Sequence, residues 1–186
     1  MKACFMGLGY IGLPTAIIAA EHGIEVIGVD INPQVVDMTN QGLIHIVEPG
    51  LQELCRKVVT SGHLKASVKP ETSDVYLVVV PTPFKGNHEP DISYVETATR
   101  SVIPLLKEND LFIIESTSQV GTTDKMTDLI FSLRPELKGK IYIAYCPERV
   151  LPGNVIYELV HNDRVIGGIN PESTEKAIGF YSRFVK

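Results

Sequence analysis

Met6-Gly7-Leu8-Gly9-Tyr10-Ile11-Gly12-Leu13-Pro14 follows the apolar start Ala3-Cys4-Phe5 and precedes a second apolar run that ends in an acid, Asp30. A Gly-x-Gly-x-x-Gly that leaves a strand and enters a helix gives each glycine a separate duty. Gly7 permits the tight turn, Gly9 lets the backbone approach a phosphate, and Gly12 lets the helix pack closely on the strand. The helix N-terminus opened in this way attracts an anion. The glycines alone describe any glycine-rich turn, and it is their neighbours that give them meaning. The run Ile24-Glu25-Val26-Ile27-Gly28-Val29 reads as the second strand, and a carboxylate at its end, Asp30, accepts the hydroxyls of an adenosine ribose and repels a 2′-phosphate. Asn32 and Pro33 follow, with no arginine to neutralise an extra phosphate, so the expected cofactor is NAD rather than NADP.

Outward from this unit, strands and helices alternate. Residues 34–41 and 49–59 read as helices and 64–67 as a short strand. Residues 75–80 are a continuous apolar run rich in β-branched valine and ending at Pro81, the pattern of a strand buried on both faces. A proline- and glycine-rich loop spans 81–91, then come a helix at 93–106, a strand at 111–114, a helix at 122–133, and strands at 141–144 and 164–168. A helix at 171–185 runs into the end of the chain, where Phe180, Tyr181 and Phe184 have no later element to cover them. This suggests an excised piece of a longer protein. The expected fold is α/β: a doubly wound, mostly parallel Rossmann-type sheet with helices on both faces.

Composition narrows the function. A chain of 186 residues fits one large domain, or one domain plus the start of another, and is long enough for a sizeable core. Its net charge of −5, with lysines and arginines scattered, excludes the basic stripe that nucleic-acid binding requires. No apolar run reaches the length of a membrane span and no signal peptide precedes the first strand, so a cytoplasmic protein is expected. Cys4, Cys55 and Cys146 are odd in number and irregularly spaced, which argues against a disulfide framework. The five histidines form no ligand spacing with cysteines or carboxylates, so no metal is expected and each reads as a surface or loop residue.

In an open α/β sheet ligands bind beyond the carboxyl ends of the strands. The residues there are the glycines, Pro81-Thr82-Pro83, Glu115-Ser116-Thr117-Ser118 and Cys146-Pro147-Glu148-Arg149-Val150. Thr82, held between two prolines, suits a hydroxyl that meets a ribose or phosphate, or is a stiff connector. Thr117 suits a role in positioning the nicotinamide or a catalytic water. Thr122 and Thr123 begin a helix, where capping is the plainer reading. Glu148 and Arg149 set an acid/base group beside an anion grip, or form a surface ion pair. Cys146, with no histidine near it in sequence, reads as a structural thiol rather than a nucleophile.

Gly7 to Pro14, Glu48-Pro49-Gly50-Leu51, Pro81-Thr82-Pro83, Glu115-Ser116-Thr117 and Cys146-Pro147-Glu148-Arg149-Val150-Leu151-Pro152-Gly153-Asn154, in this order, resemble the NAD-binding domain of the UDP-glucose/GDP-mannose dehydrogenase family. The resemblance covers essentially the whole chain. It implies two successive oxidations of a UDP-sugar at C6, from alcohol through aldehyde to carboxylate, with two NAD⁺. The segments 45–49, 83–91 and 162–168 resemble the branch that takes UDP-N-acetyl-D-mannosamine. It further implies NAD contacts from Gly7, Gly9, Tyr10, Ile11, Gly12, Asp30, Thr82 and either Thr117 or Thr123, and sugar-nucleotide contacts from Arg149 and Val150. Glu148 and Thr117 are the implied catalytic residues, Glu148 assisting hydrolysis of an acyl intermediate. The glucose branch carries a second glutamate four positions after Glu148; here Pro152 stands there, which weakens the glucose reading.

The family's nucleophilic cysteine and the lysine of its central helix have no counterpart in this chain, so the resemblance implies that residues 1–186 are the NAD-binding domain without its central helix and C-terminal domain. The chain alone is then expected to be inactive, and the whole enzyme a homodimer. Two other readings stay open. One is an NAD-dependent dehydrogenase of the β-hydroxyacid or 6-phosphogluconate type, which has no Pro-Glu-Arg-Val-Leu-Pro-Gly run. The other is a non-enzymatic NAD-sensing module.

Overall fold

A computed structural model describes residues Met1–Lys186. The chain begins β1 (Lys2–Met6), α1 (Gly12–Glu21) and β2 (Glu25–Val29), with β1 and β2 parallel. It continues through α2 (Pro33–Asn40), α3 (Leu51–Thr60) and β3 (Leu64–Ser67), which pairs with β2, and returns to the other side of β1 as β4 (Val75–Val78). A small hairpin, β5 (Phe84–Lys85) and β6 (Glu89–Pro90), precedes α4 (Ser93–Val102). Then come β7 (Leu111–Ile114), α5 (Thr122–Leu133), β8 (Tyr142–Tyr145), α6 (Val155–His161), β9 (Gly167–Gly168) and α7 (Pro171–Tyr181).

The main sheet has the order β3-β2-β1-β4-β7-β8-β9, parallel except where β9 runs against β8. The strand order therefore reverses between β1 and β4, and a crevice opens there beyond their carboxyl ends. Every residue of β4 and β7 is buried, as their unbroken apolar sequence requires of central strands. Gly12 to Ala20 of α1 are all buried as well, because the helix has β1 and β2 on one side and α3 and α6 on the other. Two cores result, one on each face of the sheet. Phe5, Leu13, Ile17 and Leu77 centre the first; Tyr76, Phe112, Val102 and Ile130 centre the second.

Several expectations need correction. Phe180, Tyr181 and Phe184 are not uncovered: each is at most 2% exposed, the three rings meet edge-on or tilted at 5.2–5.7 Å, and they pack in the same core as α1. Phe184→Leu is accordingly expected to cost about 1–2 kcal/mol, read as a lower urea midpoint at unchanged slope; an unmoved midpoint would put the ring in solvent. The run 75–80 leaves the ladder at Val78, because Val80 N–H bonds to Ser116 Oγ at 2.9 Å instead. The loop 81–91 contains the β5–β6 hairpin, and the helix expected over 93–106 stops at Val102 and tightens to a 3₁₀ turn at Pro104. Of the strand expected over 164–168 only Gly167–Gly168 pairs, and Arg164 turns towards the sheet end instead. The capping reading of Thr122 and Thr123 also fails. Gly121, in the left-handed conformation, is the N-cap of α5, no side chain caps it, and the buried Thr122 hydroxyl has no partner. All five histidines are exposed.

Candidate functional site

Two glycines are forced by close backbone contact. A Cβ on Gly7, whose φ is +109°, would stand 2.3 Å from the Val79 carbonyl oxygen, and one on Gly12 would stand 2.0 Å from the Gly7 carbonyl oxygen. At Gly9 a Cβ would meet nothing within 4 Å, so that position is open to the crevice rather than packed. The N–H groups of Gly9, Tyr10, Ile11 and Gly12 find no acceptor in the chain, no side chain caps α1, and its first turn holds no acid. This is the donor set that a pyrophosphate satisfies.

Asp30 lies just past β2, half-buried. Its Oδ2 accepts Leu8 N–H at 3.0 Å and its Oδ1 accepts Asn32 N–H at 2.9 Å, which fixes the carboxylate under the glycine turn. Each oxygen keeps a lone pair for a ribose hydroxyl. The residues therefore fit the adenosine and pyrophosphate of a dinucleotide.

All four strand-end segments singled out in the sequence line one crevice: Gly9, Tyr10 and Ile11 after β1, Val79 to Thr82 after β4, Glu115 to Thr117 after β7, and Glu148 after β8. Thr82 donates its hydroxyl to the Thr117 carbonyl at 2.7 Å, tying the Pro81-Thr82-Pro83 turn to the neighbouring strand end. Thr117 is exposed on the crevice wall, whereas Thr123 is half-buried on α5 and does not line it. Arg149 also stays out of the crevice; it is exposed and its guanidinium donates to the Asp163 carbonyl. Val150 has its side chain in the core, which leaves only its backbone free to meet a ligand.

The partner of Glu148 is not Arg149, except through the Arg149 N–H, which donates to Glu148 Oε1 at 2.7 Å. It is Arg164, whose Nη2 lies 2.8 Å from Glu148 Oε2, off-axis for a hydrogen bond. Nη1 of the same guanidinium donates to Glu115 Oε1 at 3.3 Å, and its Cζ lies over the Tyr181 ring, 4.6 Å from the ring centre. Tyr181 in turn donates its hydroxyl to Glu115 Oε1 at 3.0 Å. Burial pushes the Glu115 carboxyl up to about 7 even though Arg164 draws it down, and Glu148 adds to the rise. Burial also pushes the Cys146 thiol up to about 11, so this cysteine is an inert structural thiol. Cys4 and Cys55 are buried too.

A second carboxylate braces the crevice from the other side. Glu48, buried, accepts the Tyr10 hydroxyl at 2.9 Å, Gly153 N–H at 3.0 Å and Val155 N–H at 2.7 Å. Desolvation alone would raise its carboxyl; the two backbone N–H groups and the phenol outweigh it and hold the group below the ordinary value. One side chain thus joins the glycine turn to the start of α6. Neither Glu48 nor Arg164 drew attention in the sequence as a working residue. Glu48 stood within a quoted motif, but its partners lie as far as 107 residues away.

A glycine turn over an uncapped helix, an acid at the end of β2 and a crevice at the reversal of strand order define a dinucleotide-binding domain. The chain belongs to the UDP-glucose/GDP-mannose dehydrogenase family, whose NAD binding domain matches residues 1–185. This is a family of NAD-dependent nucleotide-sugar dehydrogenases, and NAD is the cofactor of the domain. The chain is 52% identical to the UDP-N-acetyl-D-mannosamine dehydrogenase of Campylobacter jejuni over 194 residues, covering 100% of this chain and 48% of that protein. It is 51% identical to the NDP-N-acetyl-D-galactosaminuronic acid dehydrogenase of Ralstonia nicotianae, over 97% of this chain and 45% of that one. The solved UDP-N-acetyl-mannosamine dehydrogenase of Staphylococcus aureus superposes with a TM-score of 0.96 at 46% identity, covering 100% of this chain and 46% of that one. The chain spans about half the length of the curated relatives it matches. No helix is long and apolar enough to cross a membrane.

Proposed function

We propose that the chain is the NAD-binding part of an enzyme that oxidises the C6 hydroxyl of UDP-N-acetyl-D-mannosamine to the uronate. The observation that carries this reading is the single crevice in which the glycine turn, Thr82, Thr117 and Glu148 meet. NAD⁺, when bound, supplies the hydride acceptor. The N–H groups of Gly9 to Gly12 hold the pyrophosphate and Asp30 the adenosine ribose, with Gly7 and Gly12 setting the turn. Tyr10, Ile11 and Thr82 shape the middle of the crevice. Thr117, rather than Thr123, faces the nicotinamide end, because only Thr117 lies on the crevice wall. Glu148 exchanges protons with substrate or water at that end, and Arg149 with the backbone of Val150 meets the sugar nucleotide from outside it. The sugar preference rests on the relatives' names and on the motif segments.

Oxidation of the aldehyde to the acid calls for a nucleophile to add to its carbonyl before a second hydride leaves. With all three cysteines buried, this chain offers no thiol for that step, and we assign it to a part of the enzyme outside residues 1–186. In the same proposal the whole enzyme is a homodimer working in the cytoplasm. Titration calorimetry of the chain is expected to show NAD⁺ binding, with NADP⁺ at least tenfold weaker. Asp30→Ser should narrow that gap by lowering affinity for NAD⁺ and relieving the repulsion of the 2′-phosphate. Equal affinity for both cofactors in the unaltered chain would overturn the assignment of Asp30. Uronate formed by the chain alone from UDP-N-acetylmannosamine and NAD⁺ would overturn the division of labour.

A further inference from the structure

Glu115, Arg164 and Glu148 place two carboxylates against one guanidinium at the β7–β8 end of the crevice. The Glu115 side chain is 0% exposed, and those of Arg164 and Glu148 are each 8% exposed. Glu115 Oε2 and Arg164 Nε are buried with no partner in the protein, so the trio has more ionic character than local packing consumes. In a sheet whose order reverses between β1 and β4, the adenosine lies on the β1–β2 side where Asp30 stands, and the nicotinamide lies on the β4–β7 side. The oxidised ring carries a positive charge there and the reduced ring none.

We propose that Glu115, Arg164 and Glu148 set the charge at the nicotinamide end of the crevice, so that the domain binds NAD⁺ in preference to NADH. Arg164 is a positioning residue: it holds Glu148 in the crevice wall, and Glu115 together with the Tyr181 ring holds Arg164. With both carboxylates ionised the trio carries one net negative charge. A unit charge in a partly buried wall is worth roughly tenfold in affinity for a cation beside it and little for a neutral ring. The preference favours loading of the oxidant and release of the reduced cofactor. This inference rests on the placement of NAD in the crevice given above.

The groups that face Glu115 are Arg164, Glu148, Tyr181 and Cys146. Burial puts Cys146 at about 11 and Tyr181 well above its ordinary value, so both stay neutral near pH 7, while Arg164 stays charged. Glu115, pushed up to about 7, gains its charge as pH rises across neutrality. The preference for NAD⁺ therefore strengthens from pH 6 to pH 8.

The test is calorimetric titration of the full 186-residue chain with NAD⁺ and with NADH at pH 6 and pH 8, alongside Glu115→Gln and Glu148→Gln, each first checked for cooperative melting. At pH 8 the ratio of the NADH to the NAD⁺ dissociation constant is expected to fall roughly tenfold in either variant. In the unaltered chain the ratio should fall several-fold between pH 8 and pH 6, and Glu115→Gln should flatten that response. A purely structural role would weaken both cofactors equally, and an unchanged ratio in folded variants overturns the proposal. If Glu115→Gln does not fold, Glu148→Gln and the pH response of the unaltered chain decide. Binding of neither nucleotide by the unaltered chain overturns the placement of NAD itself, a result distinct from binding of both at an unchanged ratio.

Discussion

Gly12→Ala is expected to abolish measurable NAD⁺ binding and to lower stability by about 3 kcal/mol or more. The new methyl would stand 2.0 Å from the Gly7 carbonyl oxygen and 3.4 Å from Val79 Cβ. The first of these neighbours is backbone, in a turn that Gly7 N–H pins to the Val29 carbonyl at 2.8 Å, so no rotamer change relieves the clash. Either α1 lifts from β1 or the turn opens. Because α1 is buried from Gly12 to Ala20, lifting it disturbs the core; opening the turn moves the N–H groups of Gly9 to Gly12 off the phosphates. A displacement of about 1 Å in a positioning element is enough to cost on the order of a hundredfold. Gly9→Ala separates the two effects, since its methyl would meet no protein atom within 4 Å. That variant should melt close to the unaltered chain and still lose affinity, because the methyl occupies the approach of the phosphate. Differential scanning calorimetry with titration of NAD⁺ reads both quantities, and a Gly12→Ala chain with unaltered melting and affinity would remove the close-packing account of this glycine.

What was legible in the sequence was local. The β1–α1–β2 unit follows from three glycines and one acid within a single stretch, each with a steric or ionic reason to be there. Leu111–Ile114 and Thr122–Leu133 appear with their expected bounds, because an unbroken apolar run and a long 3.6-residue period are strong signals. The four strand-end segments converge as the topology requires. What was not legible depends on distant partners. α6 has seven residues and no side-chain cap of its own; the N–H of Val155 at its start is satisfied by Glu48, far back in the chain. Arg164 looked like part of a strand because its neighbours Val165 and Ile166 are β-branched, yet its place is set by Glu115 and Glu148 across the sheet end. The terminal aromatics looked uncovered because the surface that covers them is α1 and the sheet, not a later element. A one-dimensional reading sees periodicity and punctuation, and it does not see a buried charge whose counterion is 49 residues away.

That counterion carries the second large effect. Arg164→Leu leaves Glu115 and Glu148 facing one another with no guanidinium between them, and removal of one partner from a buried ion pair costs about 3–5 kcal/mol. The loss depends on pH with a definite sign. The folded chain holds Glu115 up at about 7, against an ordinary value of 4.5. Between these values the folded chain binds a proton that the unfolded chain has released, so this carboxyl withdraws stability as pH rises across that window. Arg164 is the group that draws Glu115 down, and without it the window extends above 7. The deficit of Arg164→Leu relative to the unaltered chain should therefore be small near pH 5, where Glu115 of the variant keeps its proton and needs no counterion. It should widen steadily to its full size near pH 8. Urea titrations of both chains at the two pH values measure it directly. A deficit of the same size at pH 5 and pH 8 would mean that Arg164 contributes through packing over the Tyr181 ring, and that its charge does not hold the two carboxylates in place.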